Sequence, residues 1–140
     1  MTIKDIQEEI VREFSFLEEW MDKYEHIIEL GKELPKIDDA HKVDENLIKG
    51  CQSRVWLHAE RNPDNTLRFS ADSDAIITKG LVAMVIRVLD GQNATEIAQA
   101  DLTFVKDIGL NEHLSPTRSN GLVSMINRMK LYGIEHTAAR

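Results

Sequence analysis

Cys51 is the only cysteine among the 140 residues of the chain. One thiol cannot close a disulfide within its own chain, form a zinc site alone, or hold an iron–sulfur cluster with other cysteines of that chain. Two roles remain for it: an inert thiol that packs as a small apolar side chain, or a thiolate that reacts. The residues on either side of Cys51 favour the second role.

Positive charge flanks Cys51 in the sequence. Lys49 and Arg54 lie on either side of it, and no acidic residue occurs between Glu45 and Glu60. A nearby cation stabilises a thiolate relative to a thiol. We therefore expect the pKa of Cys51 to be lowered and the thiol to be nucleophilic.

The residues next to Cys51 suit a reactive loop. Gly50 allows a backbone conformation that a larger residue would strain, and it leaves the sulfur unshielded. Gln52 and Ser53 add donors that could hold an anionic sulfur. Cys51 also follows an exposed connection and precedes a predicted strand, which is typical of a reactive group on a mobile loop.

The other residue types narrow the chemistry of the thiol. A cysteine hydrolase needs a histidine base, but none of the histidines lies in a protease-like signature. A disulfide oxidoreductase normally has a second cysteine. The two nearest histidines in sequence are 15 positions apart, so no metal site is predicted. What remains is a thiol that accepts and donates a group, with the base or leaving group supplied by a partner. The histidines are His26, His41, His58, His113 and His136.

Composition and charge exclude several other classes of function. A chain of this length forms one domain, assigned to residues 1–140. The net charge is −7, with 14 acidic against 6 basic residues in positions 1–45, so nucleic-acid binding is disfavoured.

The acidic residues in positions 1–45 predict solvated helix faces or, alternatively, a contact surface for a basic protein partner. No apolar run is long enough to span a membrane, and we expect a cytoplasmic protein with a reduced thiol.

Hydrophobic periodicity predicts two helices in the first 34 residues, with a break near Ser15. The second helix is predicted to end at Gly31, as a C-terminal cap, before Pro35. An exposed connection over residues 35–46 then leads to the cysteine segment.

Alternating apolar residues predict a β-hairpin over about residues 53–73. Its turn is the sequence Asn62-Pro63-Asp64-Asn65. Residues 47–49 could add a short third strand. The predicted fold class is therefore α+β, with a small antiparallel sheet packed against several helices.

An almost continuously apolar stretch predicts a central buried helix at about residues 75–89, ended by Asp90-Gly91. Ser73 or Asp74 is expected to cap its start. Shorter helices are predicted at 94–100 and 102–108. A last helix should begin at Ser115-Pro116 and stop near Gly133.

Two residues early in the last helix suggest a special environment. Arg118 places a cation near the start of the helix, where it opposes the helix dipole. Two interpretations of Arg118 are therefore open: a functional or interface residue, or a solvated surface residue. Gly121 costs about 1 kcal/mol relative to alanine within a helix, which indicates close packing against another backbone.

Four ordered motifs resemble the SufE family of sulfur-acceptor proteins, and the resemblance covers about residues 14–132. The motifs are Gly50-Cys51-Gln52-Ser53-Arg54-Val55-Trp56; Trp20…Tyr24…Ile28-Glu29-Leu30-Gly31…Leu34-Pro35; Ser73-Asp74-Ala75…Lys79-Gly80-Leu81; and Leu114-Ser115-Pro116-Thr117-Arg118-Ser119-Asn120-Gly121-Leu122.

This resemblance implies a function for Cys51. SufE-like proteins partner a pyridoxal-phosphate cysteine desulfurase (SufS-like), so Cys51 would accept sulfur as a persulfide, stimulate the desulfurase, and pass the sulfur to an iron–sulfur scaffold complex (SufBCD-like). Pyridoxal phosphate would belong to the partner, and no cofactor is expected on this chain. The implied fold is similar to that of IscU scaffolds, which bind clusters through three cysteines, so cluster assembly is not expected here.

The resemblance also bears on the residues around the thiol. We expect a loop that shelters the sulfur of Cys51 at rest and extends into the partner during transfer. The residues expected to support Cys51 in this loop are Gly50, Gln52, Ser53 and Arg54. Asp74 and Arg118 could regulate that loop or contact the partner.

Two alternatives stay open: an interaction module that activates a desulfurase allosterically without sulfur transfer, and a stand-alone thiol hydrolase. The sequence does not fix which desulfurase system is served, the final sulfur acceptor or the oligomeric state, and a homodimer remains open.

Overall fold

Two amphipathic helices begin the chain, as their hydrophobic spacing predicts. The computed structural model describes residues 1–138, and its first helices are α1 (Ile3–Ser15) and α2 (Trp20–Gly31). Thr2 and Asp5 form a reciprocal capping box at the start of α1. The predicted break near Ser15 is confirmed.

A β-hairpin follows, also as predicted. Strands β1 (Val55–Arg61) and β2 (Leu67–Ser73) pair antiparallel, with Val55 opposite Ser73 and Arg61 opposite Leu67. In the turn between them Asn65 adopts a φ of 66°, a left-handed conformation that asparagine tolerates. Within residues 1–138 the sheet has these two strands only. The possible third strand near 47–49 is reduced to a single bridge between Leu47 and Trp56.

The connection over residues 35–46 is largely exposed, as the sequence predicts, but part of it pairs with the sheet. It contains two short 3₁₀ turns, Asp39–His41 and Asp44–Asn46. Ile37 is buried, and the backbone on both sides of Lys36 bonds to Ala71 in β2. The connection therefore lies along β2, because unpaired backbone groups at a sheet edge need partners.

The central helix α3 (Ile76–Leu89) is buried along most of its length, as its apolar sequence predicts. It packs against α1, α2, the long C-terminal helix and β2. Asp90 and Gly91 end it, with a φ of 76° at Gly91. Within residues 1–138 no side chain caps its first residues, so the predicted capping by Ser73 or Asp74 is wrong; the Ser73 hydroxyl accepts from the N–H of Ala75, before the helix begins.

Four helices complete the described chain: α4 (Ala94–Gln99), α5 (Phe104–Asp107), α6 (Leu110–His113) and α7 (Pro116–Ala138). The sequence predicts the first two, though not α6. No helix within residues 1–138 is long and apolar enough to cross a membrane.

Helix α7 continues past Gly133, so the predicted stop there is wrong. A Cβ atom at Gly133 would lie 2.8 Å from the backbone of both Ala94 and Ala98 in α4. Gly133 therefore allows α7 and α4 to approach closely. From the sequence alone, a glycine with this role cannot be distinguished from a glycine that ends a helix.

Gly31 has a similar role, and the prediction that it caps α2 is also wrong. The cap is Lys32, in a right-handed conformation. A Cβ at Gly31 would lie 2.9 Å from the backbone nitrogen of Gly80, and one at Gly80 would lie 2.1 Å from the carbonyl oxygen of Ile27. The two glycines let the backbones of α2 and α3 touch.

Because of this contact, Gly80→Ala should lower the free energy of unfolding by about 1–3 kcal/mol, as expected for overpacking a rigid backbone contact. Urea denaturation followed by circular dichroism measures the effect. Gly121→Ala is the matched control: its Cβ would meet no atom closer than 3.5 Å, and the change should gain up to about 1 kcal/mol of helix propensity. Equal midpoints for the two variants would contradict the proposed backbone contact.

Candidate functional site

Cys51 lies in a loop, residues 49–54, that is fixed at both ends. Immediately before the loop, the N–H of Ile48 donates to the carbonyl of Val55 at 2.9 Å. This bond closes the loop at its base, so Cys51 projects from the start of β1 toward α7. We call residues 49–54 the cysteine loop.

Gly50 makes the turn that the sequence predicts for it. Its φ is 92°, a conformation that favours glycine. A Cβ at this position would also lie 2.5 Å from the hydroxyl oxygen of Ser124 in α7. Gly50 is therefore favoured by its backbone conformation, and a side chain at this position would also have to displace the hydroxyl of Ser124.

The thiol of Cys51 rests against the first turns of α7. Its Sγ lies 3.5 Å from the carbonyl oxygen of Gly121, to which the S–H donates. A Cβ at Gly121 would lie 3.5 Å from Sγ and 3.8 Å from the Cα of Cys51. The sequence predicts close packing against another backbone at Gly121, but the nearest neighbour is the Cys51 side chain at an ordinary van der Waals distance, so the fold leaves room for a Cβ there.

A small cavity of about 90 Å³ lies beside Cys51, which is one of its lining residues. Gln52 and Ser53 line it from the cysteine loop, and Arg118 lines it from α7, so the fold brings these predicted residues together with Cys51. The other lining residues are Thr78 and Leu81 from α3 and Thr117, Gly121 and Met125 from α7. Sequence reasoning missed Thr78, although a threonine on the buried side of a largely apolar helix is a signal. For Met125 and for Ser124, which contacts Gly50, there was no signal.

Burial raises the pKa of the Cys51 thiol, contrary to the expectation from its basic neighbours. Lys49 and Arg54 are exposed, and no cation within residues 1–138 forms a hydrogen bond with Sγ. Its hydrogen-bond partner is the Gly121 carbonyl, an acceptor that favours the neutral S–H. The resting thiol is therefore protonated at neutral pH.

Asp74 lies at the other end of the cysteine loop. Its Oδ1 accepts from the N–H of Arg54 at 3.0 Å, and its own N–H donates to the carbonyl of Arg54 at 3.2 Å. These bonds extend the β1–β2 pairing beyond Val55 and Ser73. Asp74 thus fastens the end of the loop instead of capping α3, and neither it nor Arg54 lines the cavity.

Arg118 is exposed in the first turn of α7. Its backbone N–H donates to the hydroxyl of Ser115 at 3.3 Å, so Ser115 caps this helix as predicted. The residues that the structure describes include no ion pair of Arg118. The side chain of Arg118 contributes to the wall of the cavity.

Comparison with known proteins decides the family. Residues 8–132 match the sequence profile described as "SufE: Fe-S metabolism associated domain". The chain belongs to the SufE family. An uncharacterized SufE-like protein of Rhizobium meliloti is 46% identical over 127 residues, which is 88% of this chain and 91% of that protein. Another, from Rhizobium etli, is 44% identical over 127 residues, or 88% of this chain and 86% of that one.

The fold of this SufE-family chain is shared with a solved structure. The solution structure of a hypothetical protein from Thermus thermophilus superposes with a TM-score of 0.78 at 17% identity, covering 95% of this chain and 96% of that one. The resemblance to SufE seen in the four motifs and the predicted α+β fold class are both confirmed.

The raised pKa of Cys51 predicts how its alkylation depends on pH. The thiolate is the reacting form, so the rate of alkylation by iodoacetamide increases with pH as the thiol loses its proton. The midpoint of this increase should lie at a higher pH in the folded protein than in a peptide of residues 49–54. The rate at neutral pH should accordingly be lower than that of the peptide. A profile shifted to lower pH would show instead that the neighbouring cations control the thiol.

The Asp74–Arg54 bond predicts that Asp74→Ala loosens the cysteine loop. The bond is exposed, so its loss should cost only about 0.5–1.5 kcal/mol of stability. The sulfur should become more accessible, and alkylation at fixed pH should become faster. Asp22→Ala is the matched control, since Asp22 is also exposed and its side chain forms no hydrogen bond with residues 1–138. Equal rates for the two variants would show that Asp74 does not hold the loop.

Proposed function

We propose that this protein accepts sulfur from a cysteine desulfurase on Cys51 and passes it on for iron–sulfur cluster assembly. The observation that carries the proposal is the position of the single cysteine: on a fixed loop, beside a small cavity, in a chain whose family is associated with Fe–S metabolism. In this proposal the protein also stimulates the desulfurase, because removing the bound sulfur frees the desulfurase for its next turnover.

The proposed transfer is a thiol–disulfide exchange. The Cys51 thiolate attacks the terminal sulfur of the desulfurase persulfide. A new S–S bond forms at Cys51, the S–S bond of the desulfurase breaks, and its cysteine leaves as a thiolate that takes up the proton lost by Cys51. One thiol and one persulfide give one persulfide and one thiol, so no external oxidant or reductant is needed.

The resting geometry supports a reaction that needs a partner. A thiol that is partly buried, hydrogen-bonded to the Gly121 carbonyl and protonated at neutral pH is a poor nucleophile. In our proposal, binding to the desulfurase releases the cysteine loop from α7 and exposes Cys51. The exposed residues Gln52 and Arg118 line the cavity beside the thiol, and they would be the first to meet that partner, together with the exposed Arg54 at the end of the cysteine loop.

The partner supplies the remaining chemistry. Pyridoxal phosphate on a SufS-like desulfurase would release sulfur from free cysteine, and a SufBCD-like scaffold would receive it from Cys51. We place this exchange in the cytoplasm, where thiols are kept reduced.

Mass spectrometry tests the proposal directly. After incubation with a SufS-like desulfurase, pyridoxal phosphate and cysteine, the protein should gain one sulfur, about 32 Da, at Cys51, in the form of a persulfide. The Cys51→Ser variant is the control and should gain none. If the desulfurase turns over and the protein gains no sulfur, the carrier function is wrong.

The same variant separates sulfur transfer from allosteric activation. Allosteric activation is the second candidate, because a thiol that is protected in the resting protein is also compatible with a protein that never transfers sulfur. Desulfurase turnover should be stimulated by the unaltered protein, and this stimulation should be lost in Cys51→Ser if Cys51 is the acceptor. Stimulation that survives the substitution would identify the protein as an activator without a transfer role.

A further inference from the structure

A group of metal-binding side chains lies away from the cysteine loop. His41, His58 and Glu60 each offer one ligand atom, and these atoms all lie within 4.8 Å of one another. None of the three residues lines the cavity around Cys51. Sequence spacing does not indicate this cluster, since 17 positions separate the two histidines.

The fold brings the histidines together through the connection that precedes the cysteine loop. His41 ends the first 3₁₀ turn, and His58 lies in β1 on the face turned away from the core. Their rings are stacked, with centroids 3.7 Å apart and an angle of 8° between planes. The strand then places Glu60 beside His58, since residues two positions apart share a face; its Oε1 lies 3.3 Å from the His58 Nε2.

A neighbouring contact fixes the position of His41. The ammonium of Lys42 bonds to Asp72 at 3.0 Å and lies 4.7 Å from the centre of the Trp56 ring. Asp72 and Trp56 are directly paired across the hairpin. The connection is therefore anchored to the outer face of the sheet at the residue after His41, so the histidine pair is part of the fold.

The donor set suits a particular class of ion. Two imidazole nitrogens and one carboxylate oxygen are a ligand set of zinc sites that keep one position open for water. Zinc bonds of about 2.0–2.2 Å place tetrahedral ligands roughly 3.3 Å apart. Side-chain rotation can close the present separations to that value, because Glu60 is exposed and His41 and His58 are only partly buried.

The surroundings have room for an ion and its water. The cluster borders an open cavity of about 550 Å³. Asp38 and Asp90 bring negative charge to this cavity, whereas Lys36 and Arg68 bring positive charge. With Glu60 the cavity has three carboxylates against two cations, a balance that favours a divalent cation.

We propose that His41, His58 and Glu60 form a binding site for Zn²⁺ or a similar divalent transition metal. The ion would replace the His58–Glu60 hydrogen bond and link the connection of residues 35–46 to β1. The proposal is independent of sulfur transfer at Cys51.

Titration calorimetry with Zn²⁺ tests the site. The full-length Cys51→Ser variant is used so that the thiol cannot bind the metal, and one ion should bind per chain. His41→Asn and His58→Asn should each weaken binding at least tenfold, since losing even a hydrogen-bond partner of a ligand costs roughly 10–100-fold. Glu60→Gln should weaken it as well. His113→Asn, which alters an exposed histidine outside the cluster, is the matched control and should leave binding unchanged.

A second measurement needs no histidine variant. In NMR spectra of the same protein, Zn²⁺ should shift the ring signals of His41 and His58, while those of His26, His113 and His136 stay in place. Absence of Zn²⁺ binding would overturn the proposal. So would binding that His41→Asn and His58→Asn leave unchanged, or ring shifts confined to other histidines.

Discussion

The contact between the Cys51 sulfur and the backbone of Gly121 is the interaction on which the rest of the site depends. An alanine Cβ at position 121 would meet Sγ at 3.5 Å, an ordinary van der Waals contact, so the contact uses the backbone carbonyl of α7 and does not itself demand a glycine there. The contact depends instead on the left-handed turn at Gly50, next to Ser124 of the same helix. That turn lets the cysteine loop lie against α7 with the sulfur partly buried between them.

This contact protects the thiol and at the same time weakens its reactivity. Burial and the Gly121 carbonyl favour the protonated form, whereas nucleophilic attack requires the thiolate. The bond of Asp74 to the Arg54 N–H, at the end of the loop, is worth only about 0.5–1.5 kcal/mol. Releasing it costs little compared with the free energy of a protein–protein interface, so a partner could shift the loop from the protected to the open state.

The sequence predicts an element well when the residues that determine it are close together along the chain, and poorly when they are far apart. Local patterns predict the hairpin, α3 and the Ser115 cap, because alternation, apolar continuity and capping act within a few residues. Helix α2 ends at Gly31 as predicted, but Lys32 and not Gly31 is its cap, and α7 continues past Gly133. Local patterns miss the roles of these two glycines, because their packing partners, Gly80 and α4, are distant in sequence.

The pKa of Cys51 and the histidine cluster could not be predicted from the sequence, because both depend on residues that are distant along the chain. Adjacent cations indicate a lowered pKa for Cys51, but burial raises it, and the carbonyl that accepts from its S–H lies 70 positions away in sequence. The pairing of His41 with His58 likewise depends on how the connection folds over the sheet. Neighbours along the chain show which groups are present, whereas only the fold shows which of them meet.

The anchors on both sides of the cysteine loop limit how far Cys51 can move. Ile48 is bonded to Val55 on one side, and β1 is paired along its length with β2 on the other. Three residue steps separate Ile48 from Cys51, so a fully extended segment carries the Cys51 backbone at most about 10 Å from that anchor. Under the proposed function, a partner would therefore have to bring its persulfide close to the surface formed by the cysteine loop and the start of α7. The short reach of the loop would make the proposed transfer depend on a fitted interface, so that sulfur would pass only to a protein that binds this surface.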